Sequence, residues 1–253
     1  MFISKKFIPS LFTILNAVCG FLSVINSANN EFDNAAMFII YGTLFDAVDG
    51  LAARLTNSAS KFGVELDSLS DVISFGFAPS FLIYCIYLKD LGDIGIVLSS
   101  LIMVFAALRL ARFNVQLVGF DKDKFNGLPA PMAALTIVSY ILFYHNKILS
   151  TKVSETFILF LAIALPLLMV SKIKYDSLPK PSLTAIKRNP ITFIILFIAV
   201  VITILTNGEG SFSFCLFYIF SGMIISLKNL IFRKKGGVSN EDIDEHLDLK
   251  KSK

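Results

Sequence analysis

Tryptophan is absent from these 253 residues, histidine occurs twice and cysteine three times. Each shortage removes a chemistry. Cys19, Cys85 and Cys215 are odd in number, far apart and set in apolar runs, with no CxxC pair. That pattern excludes a disulfide framework and a thiolate metal site, and reads as three buried, reduced thiols. His145 falls at an outer helix end and His246 in the tail, neither near the acids of the apolar spans in the expected topology, so no catalytic role is assigned to them. Charge is scarce as well. Only 17% of residues are Asp, Glu, Lys or Arg, against 55% hydrophobic residues, among them 25 Phe. The mean hydropathy of +0.72 is rare among soluble domains. No internal repeat and no soluble second domain is visible.

What is present is a series of long apolar runs. Crossing the hydrocarbon core takes about 20 apolar residues in a helix. Eight segments qualify: 7–28, 34–55, 62–88, 94–116, 129–149, 154–172, 190–207 and 211–232. The first follows Lys5 and Lys6 as a signal peptide would, but it has no clean small-x-small cleavage site and carries Asn16 at its middle. It is expected to be a retained helix. Lysine and arginine test the count. With the N-terminus inside, only Lys89, Lys147 and Lys152 of the 23 basic residues fall on the outer side. Such a bias sets orientation. The sequence thus predicts an all-α integral membrane protein, a polytopic bundle of about eight transmembrane helices with both termini cytoplasmic. The net charge of +4 reads as orientation plus attraction to anionic lipid, with no sign of a nucleic-acid partner. Residues 1–232 form one transmembrane domain. The charged stretch 233–253 reads as a solvated, disordered cytoplasmic tail.

Four carboxylates interrupt this apolar background: Asp46, Asp49, Asp67 and Asp71. An ionisable group at membrane depth costs several kcal/mol and marks function by default. Asp46 and Asp49 share one helical face, and Asp67 and Asp71 share another. The short polar linker from Leu55 to Phe62 makes the two helices antiparallel neighbours, so the two faces meet. Four like charges repel unless cations sit among them. Oxygen ligands alone favour Mg²⁺ or Mn²⁺ over zinc. Gly50, Ala53 and Gly63 are small residues beside the acids. They serve either helix packing or a groove that admits a bulky group to the backbone. On the first helix, Thr13, Asn16 and Gly20 make one narrow polar face, for interhelical hydrogen bonds or for the same cavity. Pro79 is expected to kink the third helix.

The spacing Asp46-x2-Asp49-Gly50-x2-Ala53-Arg54-x8-Gly63-x3-Asp67-x3-Asp71 resembles the signature of the CDP-alcohol phosphatidyltransferases, with all eight fixed positions filled. The resemblance implies transfer of a phosphatidyl group from CDP-diacylglycerol to an alcohol, with release of CMP. It implies that Asp46, Asp49 and Asp67 hold metal. It makes Asp71 the proton acceptor and a sharer of the second metal. Gly50, Ala53, Arg54, Ser60 and Gly63 would then contact CDP-diacylglycerol. It implies a core over 1–172 with two extra helices at 190–232, and a homodimer.

Further along, Arg109 and Arg112 are three apart at the end of the fourth span, with Asn114 next and Gly127-Leu-Pro-Ala-Pro131 beyond. Snorkelling to the membrane surface explains a lone arginine. Guanidinium groups also suit bidentate capture of a carboxylate or phosphate. The Arg109-to-Asn114 and Gly127-to-Pro131 stretches resemble the phosphatidylserine synthase branch of that family, whose acceptor is L-serine. That resemblance implies a serine-binding role for Arg109 or Arg112, with Asn16 and Asn114. Glycerol 3-phosphate, inositol phosphate and choline are the alternative acceptors, and cation-coupled transport is the alternative class. Eight spans with a cytoplasmic site suggest a bacterial inner membrane.

Overall fold

A computed structural model describes residues 7–56, 60–117, 127–173, 175, 198 and 201–235. Among the described residues every regular element is helical. Helices α1 (Phe7–Ala28) and α2 (Phe32–Leu55) form an antiparallel hairpin whose turn places Asn30 at φ 61°. Next come α3 (Lys61–Asp71), a π-helical turn (Val72–Phe77) and α4 (Ala78–Ile86), which together make one continuous span. A short 3₁₀ turn leads to α5 (Asp93–Leu117). Helices α6 (Ala130–Phe143), α7 (Thr151–Met169) and α8 (Gly210–Lys235) complete the described set.

Six of the described helical runs are long and apolar enough to cross a membrane. Their outward faces carry Phe21, Leu44, Ile94, Phe160 and Phe217, all exposed. In water such surfaces would be a heavy penalty; against lipid they are the expected exterior. The protein is an integral membrane helix bundle.

The expected span 129–149 is shorter than its apolar run. Helix α6 stops at Phe143 after 14 residues. Polar residues then take over the backbone bonding: Asn146 sits at φ 53°, and its N–H donates to Ser154 Oγ at 3.1 Å. The expected span 190–207 lies largely outside the described residues, where 201–205 are helical. The basic stretch 174–188 lies outside them too, apart from Tyr175. Helix α8 is described through Lys235, and residues 236–253, the rest of the expected tail, lie outside the described set.

The expected kink at Pro79 takes the form of the π turn. Proline has no N–H and its ring clashes with the carbonyl four residues back. The wider turn at Val72–Phe77 absorbs that mismatch just before Pro79. The turn is wedged into the bundle. Phe75 is fully buried, and Gly76 lets the chain approach α5, where an added Cβ would lie 3.5 Å from Met103 Cα. On the other side Gly20 brings α1 close, its would-be Cβ 2.9 Å from Ser74 Cα. The core continues through Ile102, Ala106, Ile137, Ile158 and Met169. Cys19, Cys85 and Cys215 are buried and free, as expected.

Candidate active site

The acid-bearing ends of α2 and α3 converge beside α1. Asp46, Asp49 and Asp67 each offer a carboxylate oxygen within 4.8 Å of the others. Asp71 lies one turn further along α3, buried, and is within electrostatic reach of the other three. The polar face of α1 supplies hydrogen bonds to this group. Thr13 Oγ1 donates to Asp49 Oδ2 at 2.8 Å, and Asn16 Nδ2 donates to Asp71 Oδ1 at 3.2 Å. Ser74 Oγ, from the π turn, donates to the Asn16 carbonyl at 2.7 Å and fixes α1 at that level. The α1 face therefore supplies interhelical hydrogen bonds to the acids, from Thr13 and Asn16.

An open cleft of about 130 Å³ lies beside Asp49 and Asp67. Asp49, Gly50, Ala53, Ser60, Gly63 and Asp67 line it, with Pro9, Ser10 and Thr13 from α1. Gly50 faces open space among the described residues. A Cβ added there meets nothing within 4 Å, so helix packing does not require glycine, and the missing side chain enlarges the cleft. Ser60 is the N-cap of α3, accepting from the Gly63 N–H at 3.0 Å while also facing the cleft. Arg54 is exposed on the last turn of α2 and is not among the cleft-lining residues.

The donor set fits a hard divalent cation. All candidate ligands are carboxylate oxygens, and Asp67 Oδ1 is buried with no hydrogen-bond partner among the described residues. A buried, unpartnered carboxylate oxygen is costly unless a cation or donor meets it.

A family model described as CDP-alcohol phosphatidyltransferase matches residues 6–205. This chain belongs to that family. It is 35% identical over 216 residues to a CDP-diacylglycerol–serine O-phosphatidyltransferase of Helicobacter pylori (strain ATCC 700392 / 26695), covering 85% of this chain and 89% of the relative. It is 36% identical over 178 residues to the protein of the same description in Bacillus subtilis (strain 168), with 69% and 93% covered. An archaetidylserine synthase of Methanothermobacter thermautotrophicus is 42% identical over 172 residues, covering 66% of this chain and 69% of the relative.

The remaining expected residues of this phosphatidyltransferase separate. Arg109 stands beside the site. Its guanidinium is within electrostatic reach of Asp71, and its Nε is buried without a hydrogen-bond partner among the described residues. Arg112, one turn on, is exposed. Asn114 Nδ2 donates to Ser68 Oγ at 2.9 Å, which ties α5 to α3. The Gly127–Pro131 stretch docks on the end of α7. Gly127 N–H donates to the Ile173 carbonyl at 3.0 Å and Leu128 N–H to the Leu168 carbonyl at 2.9 Å. Gly127 has φ 54°, and a Cβ there would lie 2.0 Å from Met169 O, so only glycine fits. His145 lies at the opposite end of α6 from Ala130, and His246 is outside the described residues. Sequence reasoning missed Pro9, Ser10 and Ser74. Ser74 had a signal, being three residues after Asp71 on the same helical face.

Proposed function

We propose that this protein transfers the phosphatidyl group of CDP-diacylglycerol to the hydroxyl of L-serine, giving phosphatidylserine and CMP. The observation that carries the reading is the meeting of three carboxylates, a fourth, buried acid and a half-buried arginine beside one open cleft. The choice of serine is supported by the relatives' descriptions, which name it as acceptor.

Each residue then has a task. Asp46, Asp49 and Asp67 hold Mg²⁺ or Mn²⁺, with Asp71 at the edge of the set. The bound cation supplies charge neutralisation for the pyrophosphate and for the departing CMP. Gly50, Ala53 and Gly63 leave room for the nucleotide and phosphates, with Ser60 at the mouth and Arg54 reaching in from outside. Asp71 takes the serine hydroxyl proton as the serine oxygen forms its bond to the phosphatidyl phosphorus and the bond to CMP breaks. Asn16 holds Asp71 Oδ1, which presents Oδ2 to the substrate. A carboxylate is a weak base for an alcohol, so alignment and charge supply most of the rate. Arg109 binds the serine carboxylate, ahead of Arg112, because it is the half-buried one of the two and within electrostatic reach of Asp71, whereas Arg112 is exposed. Asn114 supports the acceptor side by joining α5 to α3.

The same reading covers the whole protein. Residues 1–232 are one catalytic membrane domain of eight spans, with 1–172 as its core and 190–232 as two added helices. Both termini and the site face the cytoplasm of a bacterium, and two copies associate as a homodimer in the inner membrane.

The test is CMP release by purified protein with CDP-diacylglycerol, Mg²⁺ or Mn²⁺, and a panel of acceptors. Release that depends on both metal and L-serine supports the reading. Release driven by glycerol 3-phosphate, inositol phosphate or choline instead overturns the acceptor. Metal binding with no CMP release under any acceptor overturns the enzyme and leaves cation transport.

A further inference from the structure

The hydrogen bond from Asn16 Nδ2 to Asp71 Oδ1 is 3.2 Å long, at the upper end of the usual range. A small displacement of the amide therefore loses it. Two residues fix where that amide stands. The first is Ser74 in the π turn, fully buried, whose Oγ donates to the Asn16 carbonyl at 2.7 Å. A hydroxyl in a helix often turns back to a carbonyl of its own helix, as Ser27, Ser68 and Thr136 do here. Ser74 reaches across to α1 instead. Gly20 makes room for it, because a Cβ there would lie 2.6 Å from Ser74 Oγ. The second residue is Gly42 on α2, whose added Cβ would lie 2.9 Å from Asn16 Oδ1. Asn16 is fully buried, and its Oδ1 has no hydrogen-bond partner among the described residues. Such an orphaned oxygen costs about 1–3 kcal/mol, which stability alone gives no reason to keep.

We propose that Ser74 and Gly42 are positioning residues for the reaction: they set the Asn16 amide so that it holds Asp71 Oδ1 and leaves Oδ2 for the serine hydroxyl. The inference rests on the reading of Asp71 as the proton acceptor. The physical reason is alignment. A carboxylate is a weak base for an alcohol, and a misplacement of about 1 Å can cost about 10²-fold in rate. The π turn opens one residue after Asp71, so base and clamp belong to one continuous span. Helix α1 is tied to that span twice, by the Asn16 side chain to Asp71 and by the Asn16 backbone to Ser74. The donor thereby keeps register with the base. On the far side, the bare backbone of Gly42 leaves the amide the space to face Asp71.

The test measures kcat per folded protein and KM for L-serine and CDP-diacylglycerol in Ser74→Ala, Gly42→Ala, Asn16→Ala and the doubles that combine Asn16→Ala with each of the others. Ser80→Ala is the control, a buried serine of the same span that donates to the Ser99 carbonyl on α5. Ser74→Ala and Gly42→Ala are expected to lower kcat about tenfold and leave both KM values within about twofold. Gly42→Ala is the cleaner of the two, because its Cβ meets the free end of an amide, which turns away at little cost to the fold. The control should keep kcat within about twofold, which general loosening of the helices would not allow. In the Asn16→Ala background neither change should lower kcat further. If Asn16→Ala lowers kcat while Ser74→Ala and Gly42→Ala stay with the control, the inference falls and the role of Asp71 stands. A rise in serine KM at unchanged kcat makes Asn16 an acceptor contact and overturns the inference too. If Asp71→Asn, run alongside, keeps its activity, the reading of the base falls and takes the inference with it.

Discussion

The two ends of the α2–α6 pair are built on different principles. At the acid end, helices are joined by polar side chains: Thr13 to Asp49, Asn16 to Asp71, Ser74 to the Asn16 backbone and Asn114 to Ser68. At the other end, where α6, α7 and α8 meet, rings do the work. Tyr140 lies 4.8 Å from Phe157 and 5.5 Å from Phe212, and Tyr144 lies 4.9 Å from Phe212. The aromatic end also has an exposed Lys147–Asp33 ion pair at 3.1 Å. The contrast separates two demands. Polar atoms in an apolar medium fix geometry, because each has few acceptable partners. Ring packing supplies cohesion and leaves more than one arrangement acceptable.

The sharpest way to break the comparison is at the acid end. Asp71→Asn removes the proposed proton acceptor at nearly constant shape, and activity should fall by about 10²- to 10⁴-fold. The thermal midpoint in detergent should change little, and a parallel collapse of both would assign Asp71 to structure. At the aromatic end the expectation reverses. Phe212→Ala should cost about 3–5 kcal/mol of stability. The protein that remains folded at low temperature should keep its serine and CDP-diacylglycerol KM values. A specific loss of kcat in that folded fraction would erase the division.

Smaller changes sharpen it. Thr13→Val keeps the shape of α1 and deletes the donor to Asp49, so divalent-metal affinity, titrated calorimetrically, should change while the fold persists. The expected effect is about 1.5–3 kcal/mol, the range for a hydrogen bond to a charged group. Gly50→Ala should leave stability almost untouched, because its Cβ meets open space, and raise KM for CDP-diacylglycerol. Unchanged KM would remove Gly50 from the cleft's working surface. The least effect belongs to Lys147→Ala. Its side chain is 47% exposed and that of Asp33 65%, so the loss should be under about 1 kcal/mol and vanish in high salt.

How much of this was legible beforehand follows from the same contrast. Asp46, Asp49, Asp67 and Asp71 stand out in a chain that is 55% hydrophobic, because charge at membrane depth demands a reason. Their spacing of three and four placed each pair on one face, and the short linker made the two faces meet. The extent of α1, α2, α5 and α7 followed from apolar length. The end of α6 did not, since hydropathy runs on where Asn146 and Ser154 turn the chain.

The sequence by itself determined that the chain is a membrane-embedded helix bundle, that two pairs of acids lie on helical faces able to meet, and that oxygen ligands favour a hard cation. Those conclusions need only composition, periodicity and the cost of burying charge. Tertiary structure alone decided that three acids converge within 4.8 Å while Asp71 pairs with Asn16, that Gly50 opens a cleft, and that Arg109 is half-buried within electrostatic reach of Asp71 while Arg112 is exposed. The reason is that spacing within a helix fixes which residues share a face. Which faces meet is set by close approach at Gly20, Gly76 and Gly127, and those contacts join residues tens of positions apart.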